Sequence, residues 1–199
     1  MNRITFGAAA VAVAGSLAAF LSPAIAQEGL TLTFNSFGAS PAVLTGFAIE
    51  QPLAPVPPEL ISGAADTQFP RIEGGNVLTA PKDAKRDGKW LISAQWVELG
   101  TDKAWKASVE IPIKAMTSDD IGYTLLVVFG PNGEMLIGSD RFSADPSARV
   151  DIADICGTRV PESDKAWRRE TGYFPGLTSA LSFMKSHQAA GAKPLCAPR

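Results

Sequence analysis

His187 is the only histidine in the chain, which removes the multi-histidine metal sites at once. It also leaves any Ser-His-Asp arrangement dependent on one residue near the end of a helix. An imidazole there is favoured by the helix dipole without any catalytic role. Ser182-Phe183-Met184-Lys185 matches the S-x-x-K of penicillin-binding enzymes. The rest of that signature is out of place: Ser118-Asp119-Asp120 precedes the match where an S-D-N must follow it, and no K-T-G exists. Asp140, Asp145, Asp151 and Asp154 lack the one-three-five rhythm and the glycine of a calcium loop. They read as turn and cap residues, as do Asp119 and Asp120 after Thr117-Ser118. Neither a G-x-G-x-x-G nor a P-loop occurs. The expectation is a chain with no catalytic residue, no cofactor and no metal site. A general acid and base assembled from distant carboxylates stays as the rival reading.

The two cysteines, Cys156 and Cys196, have no C-x-x-C spacing, so a redox-active pair is not expected. An even count in an exported chain predicts one disulfide. Closing a loop of that length stabilises a fold by about 4 kcal/mol on the loop-entropy argument. Trp90, Trp96 and Trp105 are the remaining residues of functional interest. Their in-phase neighbours are Ile and Val, which predicts a sheet face packed into the core, with an aromatic platform for a sugar or peptide as the alternative.

The start of the chain sets the compartment. MNR is followed by the apolar ITFGAAAVAVAGSLAAFL and then by SPAIA, with small residues at Ala24 and Ala26. This is the layout of a secretory signal peptide, residues 1–26, cleaved after Ala26. No cysteine stands at the cleavage point, so no lipid anchor is expected there. No other long apolar run follows, so the mature part, residues 27–199, is expected to be soluble, without a transmembrane segment, and periplasmic or secreted. With 18 basic and 20 acidic residues of mixed order along the chain, it carries no basic footprint for nucleic acid.

The elements that must hold these residues read as follows. Leu30, Leu32 and Phe34 alternate with polar residues as a half-buried strand, and Val43 to Ile49 is expected to be its antiparallel partner. Residues 51–88 are rich in proline and glycine, and predict an irregular excursion with at most a short edge strand. Trp90, Ile92, Ala94 and Trp96 share one strand face, and Trp105, Ala107, Val109, Ile111 and Ile113 share the next. For both faces to lie on one side, paired residue numbers must sum to an odd number. A sum of 203 leaves a four-residue loop; a sum of 201 leaves a two-residue Gly-Thr loop and sets Trp96 opposite Trp105. Tyr123–Phe129 predicts a strand buried on both faces, and Pro131-Asn132-Gly133 a hairpin turn. Ala148 to Ile152 predicts another strand. A helical tail over 161–190 predicts two short helices, one around DKAWRRE and one from Gly176 to Gln188.

Trp96-Val97-Glu98-Leu99, Lys103, Trp105, Ile111-Pro112 and Pro131-Asn132-Gly133 occur in an order that resembles an uncharacterised family of proteobacterial envelope proteins, many of them lipoproteins. The similar stretch covers residues 81–138. The resemblance implies an envelope protein and no known reaction.

The fold class expected is mainly β to α+β: an antiparallel β meander or sandwich with two short C-terminal helices, in a single domain. The function expected is that of a non-enzymatic envelope accessory or binding protein, whose partner is another envelope protein or a small ligand. The alternatives are an inhibitor or immunity-type protein that binds another protein, and a carboxylate-dependent hydrolase.

Overall fold

A computed structural model describes residues 28–36, 40–61, 76–116, 118, 122–139, 151–168, 174, 176–186 and 196–197. Residues 1–26, Asp119, Asp120, Asp140, Asp145 and His187 lie outside the described residues. Those described form ten strands in two five-stranded sheets. In chain order they are β1 (Gly29–Ser36), β2 (Ala42–Ile49), β3 (Ala54–Ile61), β4 (Asn76–Thr79), β5 (Lys89–Glu98), β6 (Ala104–Pro112), β7 (Gly122–Phe129), β8 (Glu134–Gly138), β9 (Asp151–Cys156) and β10 (Thr158–Arg159). Sheet I has the order β4-β1-β7-β8-β9, and sheet II the order β10-β6-β5-β2-β3.

The β5–β6 hairpin is the centre of sheet II, and its register is odd, with a sum of 201: Trp90 faces Ile111, Ile92 faces Val109 and Trp96 faces Trp105. The reversal is wider than Gly-Thr alone. Glu98 N–H donates to the Lys103 carbonyl at 3.0 Å, and the chain turns through Leu99–Asp102 with Asp102 at φ 56°. Strand β6 alternates as its sequence requires: Trp105, Ala107 and Ile111 are buried, whereas Lys106, Ser108 and Glu110 are exposed. The inward faces of both sheets form one core, in which Trp96 packs on Phe129 with centroids 4.8 Å apart and Trp90 meets Tyr123 edge-on at 5.4 Å.

Strand β7 is the middle of sheet I, and Leu125 to Phe129 are buried on both faces. It pairs antiparallel with β8 across the turn at Pro131–Gly133, where Asn132 (φ 61°) and Gly133 (φ 79°) take the left-handed backbone. A Cβ on Gly133 would stand 2.4 Å from the Trp105 ring, so only glycine fits there.

Three expectations are corrected. Strand β2 does not pair with β1. It lies in sheet II between β5 and β3, while β1 pairs parallel with β7 and antiparallel with β4. The chain therefore passes from one layer to the other between β1 and β2. Residues 51–88 are not one irregular excursion: they hold β3, an eight-residue edge strand with Pro55, Pro57 and Pro58, and the edge strand β4. Prolines are tolerated at an edge because an outward amide has no ladder bond to lose. The first terminal helix is two 3-10 turns, Pro161–Ser163 and Ala166–Arg168, parted by Lys165 at φ 58°. The second is α1 (Leu177–Ser186). Of the strand expected over 148–152, Asp151 and Ile152 fall in β9, and 148–150 lie outside the described residues. The terminal segment covers the outer face of sheet II, where Val43, Val97, Leu99 and Ala104 pack with Val160, Trp167, Phe174, Leu177 and Leu181.

Candidate functional site

Besides Glu134, which is fully buried at the start of β8, the described residues hold one more buried carboxylate, Glu98 at 3% exposure. Its even number puts it in phase with Trp90, Ile92, Ala94 and Trp96 on the inward face, at the end of β5. A carboxylate held out of water must be met by donors. Oε1 accepts from the Asn132 backbone N–H at 2.6 Å and from Ser40 Oγ at 3.4 Å. Oε2 accepts from Thr101 Oγ1 at 2.8 Å and from Trp105 Nε1 at 3.2 Å. Four donors fill about the capacity of one carboxylate. Asn132 Nδ2 in turn donates to the Cys196 carbonyl at 3.0 Å. Cys196 is bonded to Cys156 at the end of β9, which places the expected disulfide in the structure. One carboxylate thus ties together the β5–β6 turn, the β7–β8 turn and the C-terminal segment. Nothing in this arrangement presents Glu98 to a substrate; its chemistry is structural.

Two bidentate ion pairs hold the terminal segment on the same end. Arg159 grips Asp164 through two bonds of 2.9 Å, donates to the Ala104 carbonyl, and lies over the Trp105 ring at 5.1 Å. Asp164 also accepts from Ala104 N–H at 2.7 Å. The Arg159 guanidinium, with the Ala104 amide, holds the Asp164 carboxyl below the ordinary range, despite partial burial. Arg168 pairs with Asp102 at 3.1 and 2.9 Å, stacks on Trp167 at 4.6 Å, and Trp167 Nε1 donates to the same carboxylate.

Trp90, Trp96 and Trp105 are 1%, 0% and 1% exposed. Their ring faces are spent on the core, so the aromatic-platform alternative does not hold in this structure. Asp151 and Asp154 fall in β9, and Ser182 in α1, with no shared site among the described residues. No three His, Cys, Asp or Glu side chains converge as metal ligands among the described residues.

Two cavities are lined by described residues. A groove of about 450 Å³ opens beside β3, walled by Phe34, Leu44, Phe47, Val56, Pro57, Pro58 and Leu60, with Glu59 as its one charged residue. Phe34 and Phe47 meet edge-on in it at 4.9 Å. A second, of about 730 Å³, lies at the end of the sandwich away from the β5–β6 turn. Asp87, Lys89 and Lys114 line it together with the apolar Pro112, Ile113, Met116 and Tyr123.

No known protein family matches this chain, and neither a curated protein nor a solved structure is similar to it. The likeness of residues 81–138 to the envelope family therefore stands on the motif residues alone.

Glu98 and the Arg–Asp pairs were not singled out from sequence as site residues. For Glu98 the signal was present: a charged residue in phase with the inward Trp90, Ile92, Ala94 and Trp96. For Arg159–Asp164, five residues apart, and Arg168–Asp102, 66 apart, no spacing announces the pairing.

Proposed function

We propose that this chain is exported and acts in the bacterial envelope as a non-catalytic binding protein, with the groove beside β3 as its ligand site. The observation that carries the reading is the lining. Seven apolar side chains with one carboxylate at hand favour an apolar ligand, a hydrocarbon chain or a flat ring, over a substrate needing several polar contacts. The volume falls in the range of small-molecule sites. Export rests on the signal layout of residues 1–26 and is supported by the Cys156–Cys196 bond, which persists in oxidising compartments. A carboxylate-dependent hydrolase needs two acids in one cavity. The two cavities described contribute one each, Glu59 and Asp87.

Titration of the purified protein with the neutral fluorophore N-phenyl-1-naphthylamine tests the site. Saturable enhancement is expected, and Val56→Glu, which puts a second carboxylate into the groove wall, should abolish it while leaving a cooperative unfolding transition. No enhancement, or enhancement that Val56→Glu leaves unchanged, would overturn the assignment. For export, the intact mass of the periplasmic form should begin at or near Gln27; Met1 retained in a membrane fraction would contradict it.

A further inference from the structure

Strand β4 is a terminal strand of sheet I, and all four of its residues are exposed, Val77 at 66% and Leu78 at 46%. Its hydrogen-bond phase follows from one bond. Ala80 N–H donates to the Glu28 carbonyl at 2.9 Å, next to the pairs Gly29↔Thr79, Leu30↔Leu78, Thr31↔Val77 and Leu32↔Asn76. Antiparallel ladders alternate hydrogen-bonded and non-hydrogen-bonded pairs. Ala80, Leu78 and Asn76 therefore direct their amides and carbonyls at β1. Val77 and Thr79 direct theirs outward, at the open edge.

Natural sheets blunt such an edge with proline, charge or brevity. Strand β3, the neighbouring edge in sheet II, carries three prolines, two of them adjacent, so whichever phase it has, an outward amide is missing. Strand β10 is two residues long. Strand β4 reads Asn-Val-Leu-Thr, with neither proline nor charge.

We infer that β4 is a self-association edge, whose occupant is β4 of a second copy of this chain, antiparallel about a two-fold axis at Leu78. In that register Val77 faces Thr79 of the other copy, twice. Both are outward residues, so each of the two pairs exchanges two main-chain hydrogen bonds, four in all. Leu78 meets its own copy at the intervening non-hydrogen-bonded position, where side chains approach most closely. Leu78 shares the face of Leu30, the core face of sheet I, so its half-open side chain is covered by its equivalent. Self-pairing sets each residue near the axis against its own copy, and an uncharged strand meets no like charge there. A register centred on Thr79 would need the amide of residue 81, which is Pro81. The inference stands whether or not the groove takes a ligand.

Sedimentation equilibrium of the purified protein over a wide concentration range tests it, with residue-resolved amide exchange alongside. A concentration-dependent dimer is expected, in which the Val77 and Thr79 amides gain protection as the dimer forms. Val77→Pro removes an outward amide and no ladder bond to β1, and should weaken dimerisation about tenfold or more. Leu78→Arg sets two cations on the axis and should do the same, both variants keeping the near-ultraviolet dichroism of the parent. A monomer at every concentration overturns the inference, as does a dimer that Val77→Pro leaves intact. Capture of another protein's strand by a chain that stays monomeric would assign the edge to that partner and likewise overturn it.

Discussion

The two long margins of this sandwich are built on opposite plans. On one, β9 runs through Gly157 alone into β10 and so passes from sheet I to sheet II, stitched by Gly157 N–H to the Gly133 carbonyl at 2.7 Å. The disulfide, Glu98 and the Arg159–Asp164 pair all stand beside that crossing. On the other, β3 and β4 are the terminal strands of their sheets, with prolines on one and neither proline nor charge on the other. The closed margin carries the disulfide, the bonds to Glu98 and the Arg159–Asp164 pair; the open margin holds the apolar groove and the exposed Val77 and Leu78. The contrast shows where this protein places stability and where it leaves surface for binding.

Substitutions should separate the margins by the size of their effects. Largest is loss of the disulfide. Cys156→Ser or Cys196→Ser opens a loop of 40 residues and should lower unfolding stability by about 4 kcal/mol, read from denaturant midpoints under two-state conditions. Next is Glu98→Ala. It strands the Trp105 indole N–H and the Asn132 amide in a buried site, at about 3 kcal/mol. An effect under 0.5 kcal/mol would show that water takes the place of the carboxylate.

A smaller effect is expected from acid. Asp164 has its folded pKa lowered by Arg159, so the native state binds its proton less readily than the unfolded chain does. The stability this contributes is present above the unfolded value, near pH 4, and is lost as pH falls through the lower folded value. Comparing the parent with Asp164→Asn between pH 7 and pH 2 should show the difference shrinking across that window. A difference independent of pH would remove the pair from the account. Smallest is the open margin itself. Val77→Ala is expected to change monomer stability by less than about 0.5 kcal/mol.

The closed margin was partly legible in the sequence and the open one hardly at all. Parity alone limited the β5–β6 hairpin to the odd-sum registers, because a one-residue slip exposes Trp90, Ile92 and Trp96 together. The disulfide followed from cysteine count and compartment. Alternation, however, says which face of a strand is apolar and nothing about which strand lies beside it. Strands β1 and β2 could equally be a hairpin or face each other across the core, and they do the latter. Strand β3 was masked by Pro55, Pro57 and Pro58, whose meaning depends on its being an edge. The open edge of β4 needed the phase of its ladder, which a sequence does not carry.

Residue-resolved amide exchange on the dilute, monomeric protein tests the contrast most directly. The amides of Ala104, Asn132 and Gly157, bonded at the closed margin to Asp164, Glu98 and Gly133, should exchange only through global unfolding. Those of Val77 and Thr79 should exchange at close to the rate of an unprotected peptide. If Asn132 and Gly157 exchange as fast as Val77, the closed margin is not the anchor of the fold, and the division between a stabilising and a binding margin is wrong.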